Sequence, residues 1–294
     1  MAHKAGFVNI IGNPNVGKST IMNVLVGERL SVITQKMQTT RHRIKGIVNG
    51  DDFQIVYSDT PGILKPGYKL QEAMMRFVES AIIDADIILY ITDVIERPGK
   101  NPDYIERIRN SGIPVILLIN KIDISHQENV NKLYNYWKDI FPQADILAVS
   151  ATENFNIAPV FDKILALLPE NPPFFEKDAL TDRSQRFFMQ EIIREKILLN
   201  YRKEVPYSVE VSIEEFKEED TLISVKSLIY VSRESQKGII IGKEGSMLKK
   251  VGREARLDAE EFFGKKIFLE LFVKVAKGWR DKSKDLKNFG YEVY

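Results

Sequence analysis

Short apolar runs separated by amphipathic stretches fill the first half of the chain. β-prone runs lie at 7–11, 44–49, 53–59, 86–92, 114–119 and 146–149. Between them, apolar residues recur at helical spacing over 18–26, 70–84, 104–110, 130–141 and 157–168. This alternation predicts an α/β fold, a mixed, mostly parallel sheet with helices on both faces. Ligands of such sheets sit beyond the carboxyl ends of the strands, so the loops after these runs are where chemistry is expected.

The pattern breaks at Pro169, Pro172 and Pro173, which read as a stiff segment. We expect a first domain over 1–172, a linker over 173–183 and a second domain over 184–294. The second domain reads helix (184–199), strand (207–216), strand (222–231), short helix, loop, helix (246–263), strand (266–275) and a polar tail. Val209, Val211 and Ile213 alternate, as do Ile223 and Val225. Leu248, Val251, Ala255, Ala259 and Phe262 fall on one face of the long helix.

The loop after the first run reads Gly12-Asn-Pro-Asn-Val-Gly17-Lys18-Ser19-Thr20. A strand, this loop and a helix form a phosphate-binding unit, in which backbone N–H groups and the helix N-terminus cradle phosphates. Asn13, Asn15, Val16, Gly17, Lys18, Ser19 and Thr20 are the candidates to wrap a nucleoside triphosphate. Lys18 reaches the β- and γ-oxygens, and the Ser19 hydroxyl ligates Mg²⁺. Asp59 ends the third run and is a second candidate metal residue. Gly62, in Asp59-Thr-Pro-Gly62, lets an N–H approach a γ-phosphate. That contact ends on hydrolysis, which would release the segment from Ile63 onward. Thr40 is the candidate to complete the metal shell while the γ-phosphate is present, and Thr39 competes for that role. Lys18, Thr40, Gly62 and Asn15 form the candidate catalytic set.

Asn120-Lys121-Ile122-Asp123 follows the buried run 114–119. A single carboxylate accepts both N1–H and N2–H₂ of guanine, a pair that adenine lacks, so Asp123 selects GTP over ATP. The Lys121 stem can lie over the base, and Ser150-Ala151 is expected to give a backbone N–H to guanine O6. Together these motifs predict a GTP-hydrolysing P-loop domain. Ile63 stands where many small GTPases carry a water-orienting Gln. It has no hydrogen-bonding group, so slow turnover is expected.

In the second domain, Gly238-Ile-Ile-Ile-Gly242-Lys243-Glu244-Gly245 joins two helices. Such a G-x-x-G loop clamps the backbone of single-stranded RNA in KH domains. The candidate RNA-binding residues are Gly238, Ile241, Gly242, Lys243, Glu244 and Gly245, followed by Lys249, Lys250 and Arg253. Residues 239–241 offer an apolar floor for bases. Trp279 and Tyr291 either stack on bases or pack against the domain. The element order predicts an α+β type II KH domain.

Composition narrows the picture. The 294 residues are 44% hydrophobic and 28% charged, with a net charge of +1. Basic residues outnumber acidic ones over 226–287, whereas 204–220 is acidic, which favours a polyanion partner late in the chain. Without cysteine, disulfides, thiolate metal sites and thiol catalysis are excluded. The N-terminus does not read as a signal peptide. The longest apolar runs, such as 113–119, are too short to span a bilayer.

The motifs at 12–20, 59–62 and 120–123, with Gln-Thr-Thr-Arg-His-Arg at 38–43 and Gly-Ile-Ile-Ile-Gly-Lys-Glu-Gly at 238–245, resemble the Era family of bacterial GTPases over nearly the whole length. Asn13 and Met37 depart from it, standing where Arg and Pro are common. The resemblance implies binding of the 3′ end of 16S rRNA and a part in 30S subunit assembly, in a cytoplasmic protein that also associates peripherally with the inner membrane. Nothing in the sequence suggests an obligate dimer, so a monomer is expected. Related potassium-dependent GTPases hold K⁺ with an Asn at the position of Asn15, so K⁺ is a second expected cation besides Mg²⁺. A GTPase acting on a protein or membrane partner, with the KH-like domain as scaffold, is the alternative.

Overall fold

A computed structural model describes residues 2–34 and 36–291. The chain forms two compact units. Of the described residues, one takes in those up to Pro66 and from Met74 to Asp182; the other takes in Gly67–Ala73 and those from Arg183 to Tyr291.

The first unit is a six-stranded sheet in the order β2-β3-β1-β4-β5-β6. Its strands are β1 (Lys4–Gly12), β2 (Ile44–Asn49), β3 (Phe53–Asp59), β4 (Ile87–Asp93), β5 (Val115–Asn120) and β6 (Asp145–Ala148). Only β2 runs antiparallel, against β3. The helices are α1 (Lys18–Val26), α2 (Lys69–Ile83), α3 (Pro102–Arg109), α4 (Gln127–Ile140) and α5 (Ile157–Leu167). All seven residues of β4 are buried, as expected of a strand covered on both faces. Parallel register puts Asp93 of β4 beside Asn120 of β5, and Ile10 of β1 beside Asp59 of β3. The ends that carry chemistry therefore converge on one edge of the sheet.

β1 begins three residues before the apolar run, because Lys4, Ala5 and Gly6 pair with Phe53, Gln54 and Ile55. Backbone pairing continues past the apolar positions. Much of the segment read as a linker is fastened to the sheet. Leu180 accepts from the Ile47 N–H at 2.8 Å, the Thr181 hydroxyl donates to the Lys45 carbonyl at 2.6 Å, and Gln54 bonds Phe174 and Phe175. β2 is an edge strand, and its outer backbone groups take these partners.

The second unit holds α6 (Gln185–Asn200), β7 (Val209–Glu218), β8 (Leu222–Val231), α7 (Glu234–Ile241), α8 (Ser246–Phe263), β9 (Lys266–Val275) and α9 (Ser283–Asn288). The sheet order is β7-β8-β9, with β7 antiparallel and β9 parallel to β8. Ser184 caps α6 by accepting from the Phe187 N–H. Val251, Ala255 and Ala259 of α8 are buried in a core with Val209, Val211, Ile223, Val225 and Ile240. Phe262 departs from the expected face: it remains exposed, and Phe263 packs on that core instead. The expected polar tail contains α9, with Leu286 buried. Among the described residues no helix is long and apolar enough to cross a membrane.

Arg43, just before β2, joins several elements. Its guanidinium forks onto both Asp84 oxygens (2.6 and 2.9 Å) and donates to Ser58 Oγ and Asn9 Oδ1. Arg43→Ala leaves buried Asn9 and Ser58 without this donor. We expect a loss of about 2–3 kcal/mol of amide-exchange protection in β1 and β3, with β8 and β9 as the unaffected reference. A change below about 0.5 kcal/mol would reduce the fork to an ordinary surface ion pair.

Candidate nucleotide site and glycine loop

The phosphate loop is shaped by two glycines that meet polar or backbone atoms. Gly17 has φ +98, and a Cβ there would lie 2.3 Å from Asn120 Nδ2. Gly62 packs on the loop from outside: a Cβ would lie 2.7 Å from both Pro14 N and Cα. Only glycine fits either place. No side chain caps the first turn of α1, so its N–H groups point to the loop as an anion seat. Thr20 lies in that first turn.

Lys18 is buried and its ammonium donates to the Asn13 carbonyl at 2.8 Å. Burial lowers its pKa to about 8, with the charges of Asp59 and Glu96 opposing the fall. Asp59 is fully buried, and burial raises its pKa against the opposing effects of Lys18, Ser19, Ser31 and Thr40. Its Oδ2 accepts from Ser19 Oγ at 2.6 Å and from Thr40 Oγ1 at 3.1 Å, and the two hydroxyls are 2.9 Å apart. Its buried Oδ1 has no hydrogen-bond partner. Three hard oxygen donors and one orphaned carboxylate oxygen suit Mg²⁺, which leaves the rest of its shell to phosphate and water. Among the described residues no group of three carboxylate, His or Cys side chains could hold a metal ion. Of the two threonines, Thr40 joins this cluster, while the Thr39 hydroxyl turns to Thr34 and to the Lys36 carbonyl.

Asn120 stitches two loops together. Its Nδ2 donates to the Val16 carbonyl at 2.9 Å, and its Oδ1 accepts from the Ala151 N–H at 3.1 Å. Lys121, at φ 63, sends its ammonium to Asp93 Oδ2 at 2.6 Å and to the Asn15 carbonyl. Asp123 is exposed, and its Oδ1 accepts from Ser150 Oγ at 2.6 Å. The Ser150-Ala151 N–H groups, expected to reach guanine O6, have internal partners in this structure. The Ser150 N–H is bonded to Phe155 and that of Ala151 to Asn120. What Ser150 supplies in this arrangement is the hydroxyl that orients Asp123.

The buried Asn13 side chain donates to Glu96 and accepts from Asn101, both at 2.7 Å. Only the backbone carbonyl of Asn13 faces Lys18. Asn15 is exposed at φ 66. Sequence reasoning missed Asp93, Glu96 and Asn101. Asp93 ends β4, and the other two follow within its loop. Their place past a strand's carboxyl end was the available signal.

In the second unit, Gly242 (φ 72), Glu244 (φ 54) and Gly245 (φ 77) make a tight turn between α7 and α8. A Cβ on Gly242 would lie 2.8 Å from Met247 Cβ. Lys243, Glu244, Lys249, Lys250 and Arg253 are exposed around the turn, and no side chain caps α8. Gly238 is helical, inside α7, and a Cβ there meets open space; its backbone has no need of glycine. The apolar floor is narrower than expected. Ile240 is fully buried, with its carbonyl accepting from Tyr201 OH, while Ile239 is exposed and Ile241 half-buried. Trp279 and Tyr291 are buried, donating to the Ser208 carbonyl and to Glu210. They pack, and do not offer stacking faces.

Residues 7–121 match the family model of the 50S ribosome-binding GTPase, and residues 204–280 match the KH domain. The chain is 44% identical over 296 residues to the GTPase Era of Thermoanaerobacter sp. (strain X514), covering 100% of this chain and 98% of that protein. It is 41% identical to the GTPase Era of Staphylococcus haemolyticus, covering 98% and 97%. Two solved structures superpose with a TM-score of 0.94 at 39% identity, covering 99% of this chain and 100% of theirs. One is a variant of Aquifex aeolicus Era bound to GDP·AlF4⁻; the other is Era with MgGDPNP and nucleotides 1506–1542 of 16S ribosomal RNA. Likeness of sequence along the full length and likeness of both units agree: this chain belongs to the GTPase Era family.

Proposed function

We propose that this chain is a GTP-hydrolysing switch that binds the 3′ end region of 16S rRNA in the cytoplasm and assists 30S subunit assembly. Residues 1–172 form its GTPase domain, 173–183 the connection and 184–294 the RNA-binding KH domain. The observation that carries the reading is the meeting of Ser19, Thr40 and Asp59, from three separate segments, within hydrogen-bond distance. The likeness to an Era bound to MgGDPNP and 16S rRNA nucleotides supports it. Peripheral membrane association comes with the family resemblance, and a monomeric state is part of the same proposal.

In this reading the Lys18 ammonium leaves the Asn13 carbonyl for the β- and γ-phosphate oxygens, with the N–H groups of Val16 to Thr20 around them. Ser19, Thr40 and Asp59 hold Mg²⁺, whose charge, when bound, offsets that of the phosphates. Asp123, steadied by Ser150, accepts the guanine N–H pair, and the Lys121 stem lies along the base. Thr40 and Gly62 engage only while the γ-phosphate is present, so its loss frees both segments. The Gly242–Gly245 turn, Gly238, Ile241, Lys243, Glu244 and the cations Lys249, Lys250 and Arg253 receive the RNA backbone. If GTP favours the RNA-binding arrangement, RNA tightens GTP by the same factor.

A fluorescent oligonucleotide copying the 16S 3′ end should bind more tightly to the chain loaded with a non-hydrolysable GTP analogue than with GDP. Gly245→Asp is the cleaner variant, since the nearest side-chain atom to its Cβ is Lys249 Cε at 4.0 Å, and Asp tolerates left-handed backbone. It should weaken binding by about 10-fold or more, from like charge against a phosphate, with GTP hydrolysis unchanged. Binding indifferent to sequence, nucleotide and variant would turn the assignment to a protein or membrane partner.

The lowered pKa of Lys18 gives a second expectation. The free-state group is charged below pH about 8 and neutral above it, whereas phosphates favour the charged form. Nucleotide binding should therefore take up about one proton near pH 9 and almost none near pH 7, and affinity should fall as pH rises through 8. Calorimetry in buffers of different ionisation enthalpy reads this directly; equal heats at pH 9 would refute it. We also propose K⁺ beside Asn15, whose carboxamide oxygen suits it. Hydrolysis should be faster in KCl than in NaCl, and Asn15→Gly, which keeps the left-handed backbone, should erase the difference. Equal rates in the two salts would dismiss K⁺.

A further inference from the structure

A chain of side-chain hydrogen bonds runs from β4 to the segment after Gly62. The Thr92 hydroxyl donates to Glu96 Oε1 at 2.6 Å, and Asn13 Nδ2 donates to Glu96 Oε2 at 2.7 Å. Asn101 Nδ2 then donates to Asn13 Oδ1 at 2.7 Å and to the Ile63 carbonyl at 3.3 Å. The direction of every bond is set at one end. A carboxylate only accepts, so Asn13 must turn its NH₂ to Glu96 and its carbonyl to Asn101. Asn101 must then turn its own NH₂ toward both Asn13 and Ile63.

The far end is the peptide of Ile63. Its N–H donates to the Gly12 carbonyl at 3.1 Å and its carbonyl accepts from Asn101, so it is held on both sides. The Ile63 side chain is buried and carries no polar atom. Whatever Ile63 contributes beside the γ-phosphate comes from its backbone, and that backbone adjoins Gly62. The near side of the same chain seats Lys18 through the Asn13 carbonyl. Asn101 thus touches both halves of the phosphate site without facing the phosphates itself.

We infer that Asn101 is a positioning residue for GTP hydrolysis, fixing the Gly62–Ile63 backbone against the phosphate loop with a polarity dictated by Glu96. This rests on the GTPase reading of the site. Asn101→Asp is the decisive variant. It keeps the size of the side chain and tolerates the left-handed φ of 54. It also places a carboxylate at the N-terminus of α3, where a negative charge is stabilising. What it removes is the donor. We expect kcat to fall about 10-fold or more, as displaced reacting groups do, with GDP and GTP-analogue affinities within about twofold. Thermal stability should fall too, because two buried carbonyls lose their donor.

Adding Glu96→Gln separates positioning from structure. The introduced amide can donate to Asn13 Oδ1, and Asn13 then donates to the new carboxylate at 101. The Ile63 carbonyl still lacks a donor. The double variant should regain most of the lost Tm while kcat stays low. Unchanged kcat in Asn101→Asp, or kcat returning together with Tm in the double variant, would overturn the inference. A parent chain that binds GTP but never turns it over would instead remove the GTPase reading, and the inference with it.

Discussion

The first unit depends on burying an ammonium and a carboxylate at one edge of its sheet. Lys18 and Asp59 are both buried, and burial pushes each toward its neutral form. Such a pair contributes little to stability by itself, since desolvation offsets most of the attraction. It makes sense as a half-built site. In the proposed function phosphate oxygens answer Lys18, and a divalent cation answers Asp59 Oδ1, which has no hydrogen-bond partner. Opposite shifts of this kind, gathered at the carboxyl ends of strands, mark a candidate functional site.

Around that pair, polar side chains tie strand ends to one another. Asn120 holds the phosphate loop and the 150–151 loop, Lys121 reaches Asp93, Ser150 steadies Asp123, and Asn101 bridges Asn13 and Ile63. Parallel register makes this economical, because neighbouring strands present their carboxyl ends together. The loops are then positioned by hydrogen bonds of fixed direction, which can be released segment by segment. A switch needs that property: an apolar packing of the same loops would have no polar ligand to answer to.

The second unit solves a different problem with the same economy. Its core is built on the alternating strands and the Val251-Ala255-Ala259 stripe of α8. The small alanines bring the helix close to the sheet. The Gly242–Gly245 turn then projects between two helices with its cations exposed. Glycine is required at Gly242, where Met247 leaves no room, and not at Gly238, which sits in regular helix.

Much of this was legible in the sequence. Periodicity identified the strands and the helices α1 to α8, because each face is either core or solvent and a one-residue slip would expose it, while α9 lay in what read as a polar tail. Motif spacing singled out Lys18, Ser19, Asp59 and Asp123, because each ends a strand or follows within a few residues of the end of one that burial makes recognisable. Direction of hydrogen bonding was not legible. Thr40 stood ahead of Thr39 as a candidate, but nothing in the chain order said that it would bond Asp59 directly, that the Ser150 and Ala151 N–H groups would have internal partners, or that Asn13 would turn to Glu96 and Asn101. Nor did composition say that Trp279 and Tyr291 would be buried. Sequence determines which residues are apolar, where the chain can turn and which donors stand at strand ends. Which donor faces which acceptor is decided only when distant segments pack, because a buried polar group bonds to whatever the assembled fold leaves within reach.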